Sequence, residues 1–143
     1  MKKFFTLCAA VLVAASMFAV TITMGDVTPA TLDDGLTFTE QGITFKALKV
    51  AGGNNNPVIN PNSHDLRIYA NGTLEISGVT MTEMVFTLSA KGKQRLTDIA
   101  VNTGAMAYDT AAMTVTWTGN ASDVIFTVGE KATRGSDGVT KAG

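Results

Sequence analysis

The chain has 143 residues, with eleven basic residues against twelve acidic ones, a net charge of −1 at pH 7, one cysteine and one histidine. That charge balance argues against nucleic acid as a main partner, because phosphate recognition needs a basic excess. A lone cysteine rules out an intramolecular disulfide framework, and one histidine with one cysteine makes a poor ligand set for zinc.

Lys2 and Lys3 followed by the apolar stretch from Phe4 to Phe18 read as a signal peptide, expected to be helical, with cleavage near Ala19. Val13-Ala14-Ala15 offers an alternative cleavage site, and apolar character through Val20 and Ile22 leaves an uncleaved anchor as the competing reading. No flanking charge cluster marks a stop-transfer signal, so membrane contact is expected only before cleavage. Cys8 lies inside the apolar stretch, where it is a poor lipid-attachment site, and it leaves with the leader. Residues 1–19 are thus a signal peptide and 20–143 a single domain of exported chain, carrying nine basic and twelve acidic residues.

After Asp33-Asp34-Gly35, Leu36-Thr37-Phe38 begins a series of period-two segments. Ile43 to Val50 continues it, with a jump of phase between Ala47 and Leu48 that predicts a bulge or bend. The polar stretch 51–65 contains Pro57 and Pro61 and reads as a long loop. Leu66 to Ile76 reads as a hairpin around Asn71-Gly72, pairing Ala70 with Leu74 and Ile68 with Ile76 and placing Arg67, Tyr69 and Glu75 on the other face. Met84, Phe86 and Leu88 mark a further strand, Lys91, Lys93 and Arg95 a solvated loop tip, and Leu96 to Val101 a short strand or helical turn.

Asn102 to Ala112 reads as a connection leading into the most regular pattern in the chain, Met113 to Val128. It predicts a hairpin over a four-residue loop from Gly119 to Ser122, with Trp117 opposite Val124, Val115 opposite Phe126 and Met113 opposite Val128 on one buried face. Residues after Glu130 look loop-like, which predicts a missing closing strand and an unpaired sheet edge beside that hairpin. Short strands at such intervals predict an all-β fold, an antiparallel β-sandwich or jelly roll.

The polar residues give little purchase for catalysis. His64 beside Asp65 lacks a serine held in a Gly-x-Ser-x-Gly elbow, and none of Asp33, Asp34, Glu75, Glu83 and Asp123 is flanked as a buried acid pair. Asp33 and Asp34 carry hard oxygens suited to calcium but no EF-hand ligand string. No catalytic residue, metal or cofactor is expected. With Phe38, Phe45, Phe86, Phe126 and Trp117 assigned to the core, Tyr69 and Tyr108 remain as aromatic platforms. The candidate ligand-binding set is therefore Tyr69, Arg67, Glu75 and Tyr108, with amides from the loop between Asn54 and Asn62. In the plainer reading Tyr69 covers an outer sheet face and Tyr108 plugs the end of the sandwich. Asn71-Gly72-Thr73 and Asn120-Ala121-Ser122 match the Asn-linked glycosylation tripeptide but fall where tight turns are expected.

Lys2-Lys3-Phe4-Phe5-Thr6-Leu7 with its alanine-rich continuation resembles signal peptides of gut Bacteroidetes. The remainder, through the stretches Leu66 to Leu74, Val115 to Ala121 and Val124 to Val128, is similar to small secreted β-sandwich domains of those bacteria over roughly residues 35 to 140. The resemblance implies a mostly uncharacterised class of surface or secreted modules without a known active site, and Gly143 as terminus departs from its pattern. The expectation is a non-catalytic exported module, extracellular, at the cell surface or in the periplasm, that binds or adheres to a polysaccharide or another envelope protein. The alternatives are a structural or assembly domain severed from a larger surface protein, and a hydrolase whose acids do not show as a pair in sequence.

Overall fold

A computed structural model describes residues 19–89 and 99–129, together with two short strands at 132–133 and 140–141; residues 1–18 of the expected signal peptide and the Lys91, Lys93, Arg95 cluster lie outside the described residues. In chain order the strands are β1 (Ala30–Leu32), β2 (Gly35–Glu40), β3 (Ile43–Leu48), β4 (Val58–Ile59), β5 (Leu66–Arg67), β6 (Thr73–Thr87), β7 (Ile99–Val101), β8 (Ala105–Asp109), β9 (Thr114–Val128), β10 (Ala132–Thr133) and β11 (Thr140–Lys141). The fold is all-β and sandwich-like. Its main sheet runs β1-β2-β3-β6-β9-β7, with β8 also paired to β9, and all its pairs are antiparallel. β4 pairs with β5 and β10 with β11 as separate two-stranded sheets.

The framework is the ribbon made by β6 and β9, each 15 residues long. Its apolar residues meet in register on one face: Leu74 with Phe126, Ile76 with Val124, Met81 with Ala121, Met84 with Trp117 and Phe86 with Val115. Two register shifts, between Ser77 and Met81 and between Met81 and Glu83, interrupt the ladder. Gly78 sits in the first of them at φ 106°, where a Cβ would strike the Gly42 carbonyl oxygen. Bulges of this kind bend a strand and increase its twist. The bend is large: Phe86 pairs with Val115 and Phe126 lies eleven residues further along β9, yet the two rings meet edge-on at 5.2 Å. Eleven residues of straight strand would span roughly 36 Å. The ribbon therefore closes over its own apolar face and supplies both walls of the core.

Inside lie Leu36, Phe38, Phe45, Ala47, Ile76, Met81, Val115, Trp117, Val124 and Phe126. Phe38 stacks on its cross-strand neighbour Phe45 at 4.8 Å. Trp117 is completely buried, donates Nε1–H to the Thr103 carbonyl at 2.7 Å, and has Gly104 and Gly119 against its indole, where side chains would collide with it. Ile59, Leu66 and Ile68 from around the β4–β5 hairpin and Ile22, Met24 and Val27 from the segment before β1 pack against this core.

The burial expected for Trp117, Val115, Val124 and Phe126 holds, but not the hairpin that was to produce it. Residues 114–128 form one strand, and Gly119 to Ser122 lie in its irregular middle instead of a loop. Trp117 has Met84 and Met106 beside it, and Val115 has Phe86 and Tyr108. The hairpin that does form joins β8 to β9, so the expected connection from Asn102 to Ala112 contains a strand. Asp109 Oδ1 closes that turn by accepting the amides of Ala111 at 2.9 Å and Ala112 at 2.8 Å.

The Leu66 to Ile76 hairpin is likewise absent, because β5 pairs with β4 while β6 pairs with β3 and β9. The turn at Asn71 survives, with Asn71 at φ 60°. β3 keeps a regular register through Leu48 with no bulge at the phase jump. Stretch 51–65 includes the short strand β4. β9 has β6 along one side and β7 and β8 at the two ends of the other, and the tail expected to be loop contains the β10–β11 pair.

Candidate functional site

A shallow cleft of about 190 Å³ opens where the loop after β3 faces the turn before β6, lined by Lys49, Val50, Gly53, Asn54, Asn55, Tyr69 and Ala70. The Tyr69 wall is fixed by backbone. Gly72 N–H donates to the Tyr69 carbonyl, Asn71 N–H to the Val128 carbonyl, and Val128 N–H to the Gly72 carbonyl, each at 2.9 Å. A Cβ on Gly72 would lie 2.8 Å from the Leu48 carbonyl oxygen and 2.9 Å from Ile68 Cγ2, so only glycine lets this turn seat between the ends of β3 and β9. The opposite wall starts with a turn in which Gly53 N–H donates to the Val50 carbonyl at 2.8 Å, and it is tied down by Asn56, whose amide donates to the Asp33 carbonyl at 3.1 Å.

Tyr69 and Val50 are exposed, at 36% and 38%, and supply the apolar surface of the cleft. Its polar lining residues are Asn54, Asn55 and Lys49, and the Lys49 ammonium pairs with Asp34, just outside the lining, at 3.2 Å. An aromatic face beside amides and a cation suits a ring that is apolar on one side and hydroxylated at its rim. At about 190 Å³ the space falls below the roughly 300–1,000 Å³ of sites for drug-sized ligands, and matches a single ring better than an extended molecule.

Of the four expected ligand residues, only Tyr69 lines this cleft. Arg67 points into the β4–β5 turn, where its Nε lies 3.3 Å from Asp65 and its Nη2 donates to Ser63 Oγ at 3.2 Å. Glu75 stands in mid-sheet between Lys46 and Ile125. Tyr108 belongs to β8, opposite Val115, and its hydroxyl donates to the Ile99 carbonyl at 3.3 Å, bridging from one edge strand to another. The loop amides joined to Tyr69 are Asn54 and Asn55. Lys49 was missed; its position just after the last strand residue, at the threshold of an Asn-rich loop, is the signal that could have found it.

His64 is held by local structure at φ 53°, its N–H donating to the Asn60 carbonyl at 2.8 Å. Asn60 Oδ1 accepts the amides of Asn62 and Ser63, both at 3.0 Å. Asp65 accepts the Ser63 hydroxyl and lies beside Arg67; the hydroxyl first and the guanidinium second hold its carboxyl below the ordinary 3.8, against the opposing effect of burial. Among the described residues no three His, Cys, Asp or Glu side chains gather as a metal site. No helix among the described residues is long and apolar enough to cross a membrane, which says nothing of strands. In comparisons with known proteins, no family model matches the chain, and neither a curated protein nor a solved structure does.

Proposed function

We propose that this protein is an exported, non-catalytic β-sandwich module of the cell envelope that binds a glycan through the Tyr69 cleft. The observation carrying this reading is one exposed tyrosine, on a turn clasped by β3 and β9, that lines a cleft together with Asn54 and Asn55. A turn whose backbone is already fixed loses little freedom on binding, which is how a small contact yields useful affinity. The lysine-initiated apolar leader supports export, and its resemblance to Bacteroidetes signal peptides supports a bacterial envelope address.

Affinity gels with a panel of neutral and acidic polysaccharides test the proposal on the chain without its leader. Retardation by at least one polymer is expected, with Tyr69→Ala weakening it by about tenfold, the equivalent of one stacked ring. Tyr69→Phe should keep it. Tyr108→Phe, which removes only the hydroxyl bound to Ile99, should leave it unchanged. No retardation by any polymer, or equal binding by Tyr69→Ala, overturns the glycan reading.

A further inference from the structure

We infer that the Tyr69 cleft selects acidic sugars, with Lys49 as the residue that recognises the carboxylate; this rests on the glycan reading above and narrows it. Among the described residues that line the cleft, Lys49 is the only charged one and there is no carboxylate. The remaining polar side chains there, Asn54 and Asn55, each carry an amide NH2 able to donate to an anion. Net charge alone points the other way, since the chain is slightly acidic overall. Recognition at contact distance is decided by the lining and not by the distant charges, which salt screens beyond about 10 Å.

The state of Lys49 makes it available. Its side chain is 21% exposed, whereas that of its partner Asp34 is 67% exposed. Asp34 lies in the turn between β1 and β2 and is not a lining residue. An ion pair with so open a carboxylate is weak and readily exchanged. Lys49 itself is anchored through its backbone, donating N–H to the Asp34 carbonyl at 2.8 Å. A sugar carboxylate entering over Tyr69 would replace Asp34 on the ammonium while the backbone link holds the lysine in position. The bound ion pair would be more sheltered than the one it replaces, because the sugar ring covers it.

The probes are polygalacturonate and the same polymer fully methyl-esterified, which share a backbone and differ in charge, together with neutral polysaccharides, in affinity gels and titrations of the leaderless chain. Polygalacturonate should bind about tenfold more tightly than its ester, and the preference should shrink as salt rises. Lys49→Gln should abolish the preference while keeping any binding to the ester. Asp34→Asn should strengthen polygalacturonate binding two- to fivefold by removing the competing carboxylate. Equal binding to acid and ester, a preference untouched by Lys49→Gln, or binding to neutral polymers alone overturns the acidic selectivity and leaves the glycan reading standing. Binding to no polymer overturns both.

Discussion

The two halves of the β6–β9 ribbon both alternate apolar and polar residues, each with one apolar exception, Val85 in one and Ile125 in the other, but they have unequal shelter. In the half where Thr73–Ser77 meets Asp123–Thr127, β3 pairs with β6 on one side and β7 with β9 on the other. In the half where Glu83–Thr87 meets Thr114–Thr118, β8 covers β9, while among the described residues no strand covers β6. Burial follows the neighbours. Ile76 and Val124 are 1% and 0% exposed, whereas Met84 and Phe86, opposite buried partners, remain half-buried and Val85 is 56% exposed. A period-two pattern says which face a side chain takes; strand count decides how far that face is closed.

Trp117 is the largest fully buried side chain of the less sheltered half, and removing it is the strongest way to test the contrast. Trp117→Ala takes away a fully buried ring and its bond to Thr103, and leaves Gly104 and Gly119 facing a void that neither can fill. A loss of roughly 3–5 kcal/mol is expected in urea unfolding. A loss under about 1 kcal/mol would mean that the ring is not the anchor of that half.

A milder pair of substitutions compares the halves directly. Ile76→Ala and Met84→Ala both remove aliphatic side chains from the inward face of β6, one from each half. Ile76→Ala should cost about 2–5 kcal/mol, and Met84→Ala roughly half as much, because its site is already partly open to solvent. Equal losses by urea unfolding would show that the uncovered edge of β6 does not matter.

This contrast also marks how far the sequence could be read. The inward positions of Val115, Trp117, Val124 and Phe126 were legible, because alternation on either side of Gly119 to Ser122 reports a face whatever lies between. Whether those four residues turned the chain or only bent it was not legible. Gly, Asn and Ser favour both loops and bulges, and a change of phase from odd to even positions fits a hairpin loop as well as an irregular strand. The deciding feature is a second 15-residue strand, β6, whose own irregularity around Gly78 falls opposite. Only pairing over long sequence separation reveals it. The Asn71-Gly72 turn misled in the same way: its left-handed conformation was readable, but its flanks pair with β4 and β9 instead of each other. In the site, Tyr69 and the Asn loop were legible as exposed types, while Lys49 belongs with them only through the approach of Gly72 to Leu48.

The smallest expected effect concerns the β4–β5 hairpin beside the sheltered half, where Ile68 lies near Gly72 at the start of β6. Its turn is held by Asp65, whose carboxyl the Ser63 hydroxyl, and then Arg67, keep below 3.8. A carboxyl depressed on folding stabilises the folded state above its unfolded value and loses that contribution as pH falls through the folded value. Any advantage of the wild-type chain over Asp65→Asn in urea unfolding should therefore be constant from pH 7 to about pH 5 and shrink below about pH 4. Arg67 is substantially exposed, so screening keeps the effect small and added salt should reduce it further. An advantage that grew on acidification would reverse the sign and show that Asp65 is held protonated, not ionised, in the folded turn.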